Sequence, residues 1–531
     1  MYQETLPSAR LNSCYFVSLF HCPLIEDESW GRRPVMTVSS DLHQLIRSLN
    51  KNEKAYFKKF AQLHVLGEEN NYVLLFDAIA EMEKYDEESL KKKFSKEDFI
   101  RQISVAKNYL YNLVLKSLRS FHVELNARIK ARQMLHNIAI LFEKGLHDQC
   151  EREMNRARKI ALKHELYMEQ IELLVWELKI LLMNQSFEDK MMKLMNENYE
   201  SRKTVLRKLL NLYEIDQLEY NVASLLRKTP ATSAALRETE KLLKSSVMKD
   251  ESQALSVTAQ LKFHHTHATY YYAAGNNKAC RKHLLREIQI LEKNPDLMEL
   301  RFQDYVLLYD NLLLLLKDDK DKSFPVHLKK LRDQLSQRKL STRMFAQVGL
   351  RNYLMEIEWL IDSEKYAEAL KVADALEEIA KQKNVKPGLN DLLSILHHRT
   401  IASLFSGKTD DALKYSFQIL NEPEAQQKYV SYDYARLLHI ILLFETDNID
   451  VADSQIRSLQ RQPSKDKAVE QIAVVIFPAL RKLHKTFSKK EKQILWNELA
   501  DSMKKLKSQK EMQGVFRFFD GEKWVGFRVS Y

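Results

Sequence analysis

The feature that most restricts the fold of this chain is its shortage of glycine and proline. The chain has 531 residues but only ten of each, about 2% apiece against typical usage of ~7% and ~5%. Sheet-rich folds need both residues for tight turns, and nucleotide-binding loops need glycine for close approach of the backbone to phosphate. The residues that abound are Leu, Lys, Glu, Ala and Gln, which are good helix formers. We therefore expect an all-α protein.

A Gly-Lys-Thr tripeptide at residues 407–409 is similar to the end of a phosphate-binding loop. Such a loop requires a glycine five residues before Gly407, where this chain has Ala402, and a buried strand before it. Instead, Ala412 follows Gly407 by five residues. This layout is typical of two antiparallel helices that meet at a turn and cross closely at a small residue. We predict that Gly407 ends a helix in the left-handed conformation.

The same pairing of a turn residue with a small residue five positions later recurs along the chain. It is found at Gly145 with Cys150, Gly275 with Cys280, Glu364 with Ala369, and Asp447 with Ala452. The five turns are separated by intervals of 130, 89, 43 and 40 residues, so the common period predicts further turns near residues 188, 231 and 319. Both cysteines are expected to pack as small apolar side chains, not to act as reactive thiols.

Eight hairpins with a common period resemble the tetratricopeptide repeat family, whose helix pairs stack into an α-solenoid. The period is longer than the ~34 residues of that family, and its Trp and Leu-Gly signatures are absent. The resemblance implies a right-handed superhelix of helical hairpins over residues 123–465. It also implies a concave groove that binds a peptide or helix of a protein partner. The segments that carry the resemblance are 145–165, 268–295, 361–383, 402–423 and 440–463.

The N-terminal part of the chain divides into two pieces. Residues 1–35 hold two of the four cysteines and little helical pattern, and we interpret them as a disordered leader or a start codon placed before the true one at Met36. A signal peptide is the alternative. Residues 36–122 are expected to form a helical module of four short helices and a long one, which a capping box at Ser95 opens and which ends near Phe121.

This N-terminal module has two possible roles. It is either a cap that covers the apolar end of the solenoid, or a helix-turn-helix head that binds DNA. The second role requires basic side chains for phosphate contacts. The candidates are Lys91, Lys92, Lys93, Arg101, Lys107, Lys116 and Arg119.

The C-terminal region, residues 466–531, is basic. Residues 481–531 hold 13 Lys and Arg against 6 Asp and Glu, a net charge of +7 out of +11 for the whole chain. A capping box at Ser488 predicts a helix that ends near residue 511. Lysines in its last turns either complement the helix dipole or contact an anionic partner such as nucleic acid. These lysines are Lys504, Lys505, Lys507 and Lys510.

The last residues carry a different signal. Asp520-Gly521 lies between two runs of aromatic and β-branched residues, 515–519 and 523–531. An Asp-Gly pair in that context predicts a β-hairpin.

Two groups of tyrosines are the candidate partner-binding residues. Successive residues of a helix point in different directions, so part of each group is expected in the core and the rest in a binding groove, where tyrosine serves as an anchor. The first group is Tyr270, Tyr271 and Tyr272, and the second is Tyr429, Tyr432 and Tyr434.

No residue pattern predicts catalysis, a cofactor or a metal site. His264, His265 and His267 cluster, but adjacent residues on a helix point about 100° apart and are poorly placed to share a metal ion. Few cysteines, none in a C-x-x-C pair, and the lack of a long apolar run predict a cytoplasmic protein without a membrane span.

We therefore expect a non-enzymatic scaffold or adaptor that binds a protein or peptide partner. A nucleic-acid-associated regulator is the alternative, using the basic C-terminal helix, the N-terminal module or both. The sequence identifies neither the partner nor the oligomeric state.

Overall fold

A computed structural model of the protein describes residues 38–530 apart from short gaps. The gaps are residues 64–70, 96, 123–125, 184–188, 228–230, 339–347, 429–431, 462–463 and 465. The described residues form α-helices joined by turns and short 3-10 segments, with no strand among them. The predicted all-α class is confirmed, and the helices pack in neighbouring pairs as in a solenoid.

The first five helices pack around a core of their own. At its centre the rings of Phe57 and Phe76 stack with their centroids 4.3 Å apart. Lys107 is buried and lies 2.5 Å from Glu87, whose pKa it lowers to about 2. Lys91 also pairs with Glu87, so two of the lysines proposed for DNA phosphates are engaged inside the module. The helices are α1 (Val38–Ser48), α2 (Lys51–Gln62), α3 (Asn71–Glu81), α4 (Glu87–Lys93) and α5 (Ile103–His122).

The predicted capping box at Ser95 is wrong. The backbone makes a tight turn after α4, in which the Glu97 N–H donates to the Phe94 carbonyl. A 3-10 helix, Asp98–Gln102, then precedes α5, and Glu97 caps it without a side-chain hydrogen bond. Backbone turn geometry therefore replaces the side-chain cap at this helix start.

From α6 onward, each hairpin pairs a helix with its successor along the chain. The first hairpins are α6 (Ala127–Glu143) with α7 (His147–Lys163), α8 (Tyr167–Met183) with α9 (Asp189–Leu225), then α10 (Ser233–Leu243), α11 (Val257–Ala273) with α12 (Asn277–Lys293), α13 (Pro295–Leu300), and α14 (Phe302–Asp318) with α15 (Phe324–Ser336). The later hairpins are α16 (Leu350–Asp362) with α17 (Tyr366–Gln382), α18 (Leu389–Phe405) with α19 (Thr409–Asn421), α20 (Ala425–Lys428), α21 (Tyr432–Glu445) with α22 (Ile449–Arg461), and α23 (Lys467–Lys485) with α24 (Lys489–Lys507).

Six of the hairpin turns share one backbone geometry. Gly407 has φ +74°, its N–H donates to the Leu404 carbonyl, and the next N–H donates to the Ser403 carbonyl at 2.9 Å. This pair of bonds is the Schellman motif that ends a helix, so the prediction for Gly407 is confirmed. Positive φ also occurs at the other four predicted turn residues, which are Gly145, Gly275, Glu364 and Asp447. Lys320, next to the turn expected at 319, has positive φ as well.

Two other predicted turns are not described in full. The one near 188 lies in the gap 184–188, and the one near 231 follows the gap 228–230, between α9 and α10.

The small residue that follows each of the five turns read from the sequence is buried, as predicted. It lies in the first turns of the second helix, where contact with the first helix leaves no room for a larger side chain. Burial raises the pKa of both cysteine thiols, which suits packing better than reactivity. The five residues, none with any exposed surface, are Cys150, Cys280, Ala369, Ala412 and Ala452.

The left-handed turn should make Gly407→Ala destabilising. A Cβ at Gly407 meets nothing within 4 Å, so the cost is purely conformational and should be about 1–2 kcal/mol. Gly526 also has open space around it but lies inside a helix with no positive φ. Gly526→Ala should therefore stabilise by up to about 1 kcal/mol. Urea unfolding measures both changes, and equal effects at the two sites would contradict the turn geometry.

The predicted β-hairpin at the C-terminus is wrong. Its two halves form short helices, α25 (Gln513–Phe518) and α26 (Gly521–Ser530). Asp520 caps α26, because its carboxylate accepts from the Lys523 N–H at 3.1 Å. A Cβ at Gly521 would lie 3.1 Å from the Met503 sulfur, so the Asp-Gly pair serves a helix start and a close approach to α24. Burial of the aromatic residues outweighs their strand propensity.

The two C-terminal helices contact three successive hairpins, α16–α17, α18–α19 and α21–α22. Trp524 is fully buried and donates from Nε1 to Glu445 at the end of α21, at 2.9 Å, and Arg528 pairs with the same carboxylate. Lys523 lies 2.9 Å from Glu364 in the α16–α17 turn. The C-terminal segment thus closes the end of the helix stack.

Removing the shared carboxylate should loosen this closure. Glu445→Ala leaves the Trp524 indole N–H and Arg528 without their acceptor, which should cost about 1.5–3 kcal/mol. Glu445→Gln keeps an acceptor for the indole and should cost less. Hydrogen exchange over residues 521–530 reports the effect directly, and unchanged protection in the alanine variant would contradict it.

Within the described residues, no helix combines the length and the apolar character that a bilayer span requires.

Candidate partner-binding groove

The first tyrosine group lies at the end of α11, and its members have different surroundings. Tyr271 and Tyr272 are half-buried against the core formed by α11, α12 and α14. Tyr270 packs against a smaller cluster that contains Met248 and Phe263. All three side chains keep part of their surface exposed.

Tyr270 and Tyr271 line a groove between α11 and the end of α10. Its volume is about 670 Å³. Leu243 and Met248 supply apolar surface, and Lys244 and Lys249 are exposed at its edge. Glu240 pairs with Lys244 at 2.8 Å and raises the pKa of that lysine. The groove therefore combines two aromatic rings, an apolar floor and a charged rim.

A stack of aromatic rings supports the tyrosines. The ring of Tyr271 lies 5.5 Å from that of His283, which stacks on His267 at 4.9 Å with only 9° between the planes. The Nε2–H of His267 donates to the Met248 carbonyl at 2.9 Å, which ties α11 to the segment after α10. The groove thus rests on fixed neighbours.

The histidine cluster is a packing feature that the sequence only partly indicated. His264 is buried, with Nδ1 2.9 Å from Nδ1 of His283 and Nε2 3.2 Å from a carboxylate oxygen of Glu251. His283 comes from α12, nineteen residues away, so no local pattern could show the contact. Burial lowers the pKa of His264 to about 4 and that of His283 to about 3. Among the described residues, no three His, Cys, Asp or Glu side chains are placed to hold a metal ion.

The second tyrosine group lies elsewhere. Tyr429 falls outside the described residues. Tyr432 packs against Leu393 and its neighbours on α18 and α19. The hydroxyl of Tyr434 donates to Asp466, and its ring lies 5.4 Å from Phe518 of α25. The two groups therefore do not share one groove.

The C-terminal lysines differ in their surroundings. Lys507 lies 2.8 Å from Asp520 and 2.9 Å from Glu522, so it ties α24 to α26. Lys504 and Lys505 are exposed on α24, and the side chain of Lys510 is outside the described set. The helix starts at Lys489 after the predicted Ser488 cap but ends at Lys507, one turn earlier than expected.

A notch with a mainly apolar lining, which the sequence did not reveal, lies where α23 meets α24. It has a volume of about 410 Å³ and is lined by Lys482, Lys485, Thr486, Glu491, Ile494 and Leu495. Phe487, in the turn beside it, is 95% exposed. A hydrophobic residue just before a capping serine was the available signal, but such a residue often packs against the helix that follows, so the sequence did not show that Phe487 is exposed.

No family model matches this chain, and comparison with the curated proteins and with the solved structures finds no significant match.

The histidine stack should make stability depend on pH. In the unfolded chain His264 and His283 bind protons near their ordinary pKa of 6.5, whereas in the folded protein they do so only near pH 4 and 3. The unfolded state therefore gains protons first as the pH falls, and the free energy of unfolding should decrease below about pH 6.5. Each histidine contributes at most about 1.4 kcal/mol per pH unit.

Denaturant unfolding at pH 7, 6 and 5 measures this slope. His283→Gln should make it shallower, while His136→Gln, at an exposed position, should leave it unchanged. An equal slope in wild type and His283→Gln would contradict the assignment.

Proposed function

We propose that the protein is a non-enzymatic cytoplasmic scaffold that binds a peptide or helix of a protein partner. The observation that carries the proposal is the groove between α10 and α11, where Tyr270 and Tyr271 present aromatic faces over an apolar floor. Tyrosines in a half-buried pocket are typical anchors for a partner's apolar side chain. The resemblance to tetratricopeptide-like hairpins agrees with a peptide-binding role.

The stack of aromatic rings beneath the groove explains how the groove would bind a partner. Since Tyr271 already stacks on His283, its ring loses little conformational freedom when a partner binds, and preformed sites bind with a smaller entropic cost. Lys244 and Lys249 lie at the edge, so acidic residues beside the partner's anchor would be favoured and would speed association.

A nucleic-acid-associated regulator is the second candidate. The notch at α23–α24 favours it, because its two lysines, Lys482 and Lys485, could neutralise phosphates while the exposed Phe487 stacks on a base. The two candidates use different parts of the chain, residues 240–271 and residues 482–495, so variants separate them.

Affinity purification of the full chain, with and without nuclease, tests the proposal. A protein partner should survive nuclease and be lost with Tyr270→Ala and with Lys249→Glu. The control is Lys241→Glu, a change at an exposed lysine of α10 outside the groove. Nucleic acid that is retained at low salt, released at high salt and lost with Lys482→Glu and Lys485→Glu would favour the second candidate. A partner that binds every groove variant as well as it binds the wild type would overturn the scaffold proposal.

A further inference from the structure

Helix α9 carries an exposed apolar face that no described helix covers. With 37 residues, it is more than twice as long as the 17-residue helices around it. Its buried side packs against α8 and α11 through residues such as Ile215 and Val222. That side also includes Asn211, whose amide bonds to the backbone of Gln253 and Leu255. The exposed face is therefore separate from the packing that holds α9 in the fold.

The apolar residues of the exposed face recur at every seventh position. Seven residues are nearly two helical turns, so they form a stripe along one side of the helix, about 42 Å long from 192 to 220. One apolar residue in every seven is half of the two-position heptad pattern of helices that pack along their length. The stripe consists of Met192 (51% exposed), Tyr199 (45%), Leu206 (43%), Tyr213 (56%) and Tyr220 (58%), with Leu210 (61%) beside it.

We propose that this stripe is a homodimer interface, in which α9 pairs with α9 of a second copy in antiparallel orientation. The argument for a second copy comes from the charges beside the stripe. Four exposed charged residues also recur at every seventh position, and their signs alternate. They are Lys193, Glu200, Arg207 and Glu214.

This charge series is complementary to itself when the helix is reversed. A twofold axis between residues 203 and 204 sets Lys193 opposite Glu214 of the second copy. The same axis sets Glu200 opposite Arg207 of the second copy. Parallel pairing in register would instead set each charge against its own copy, which is destabilising. Glu200 pairs with Lys203 of its own helix at 2.6 Å and is two-thirds exposed, so it remains accessible to Arg207 of the second copy.

The same axis brings the apolar residues together. Within two residues of the position that the axis sets opposite it, Tyr199 meets both Leu206 and Leu210 of the second copy. In this register Tyr220 comes opposite residue 187, before the start of α9, so the other five side chains, each with about half of its surface exposed, give about 500 Å² per copy. A standard interface buries about 800 Å² per partner, so the charged flank must supply the rest.

Molar mass in solution tests the proposal, measured for the full chain by sedimentation velocity from about 1 to about 100 µM, a range that spans weak and moderate dimers. The wild type should have twice the chain mass at the upper concentrations. The double variant Leu206→Glu, Tyr213→Glu should be monomeric with an unchanged helical circular dichroism spectrum. Phe417→Glu, at another side chain that is 58% exposed, is the matched control and should remain dimeric.

Charge reversal tests the register. Glu200→Arg and Arg207→Glu should each weaken the dimer at least tenfold in Kd, and the double reversal should restore it, because the pair re-forms across the axis. A wild type that stays monomeric at 100 µM, or a dimer that survives the stripe variant, would overturn the proposal. Failure of the double reversal to restore the dimer would overturn the antiparallel register.

Discussion

The repeated reversal of the chain at a left-handed residue is the constraint on which the rest of the structure depends. At each such residue two backbone hydrogen bonds close the end of one helix. At the α18–α19 turn, the N–H groups of Gly407 and Lys408 donate to the carbonyls of Leu404 and Ser403. The next helix then starts at once and returns beside the first. Glu364 and Asp447 adopt positive φ without being glycine, at a cost of about 1–2 kcal/mol each. Burial of the helix pair outweighs that cost.

Close return of the second helix explains two other features of the molecule. It requires a small side chain at the crossing, which is why Cys280 is fully buried and its thiol is disfavoured as a thiolate. It also brings His283 of α12 against His264 of α11, where burial keeps both rings neutral at pH 7. The resulting stack supports Tyr271 in the candidate groove. The left-handed turn therefore determines, through the close packing of α11 and α12, how the proposed binding surface is supported.

Departures from the hairpin pattern carry the other candidate surfaces. Helix α9 has 37 residues, against 17 in its partner α8, and so presents a long face that the stack does not cover. At the C-terminus, α26 crosses three hairpins, with Trp524 buried against Glu445. There the chain covers its own apolar end, whereas along α9 we infer that a second copy does so.

The sequence by itself determined the helical class, the turns at Gly145, Gly275 and Gly407, and the burial of the small residues beside them. These depend on residue propensities and spacings within one hairpin, which are local properties. The tertiary structure alone decided that the run around Asp520 is helical, because burial against α24 outweighs strand propensity there. It also decided which tyrosines share a groove, since Tyr270 and Tyr434 lie in cores built from residues distant in the chain.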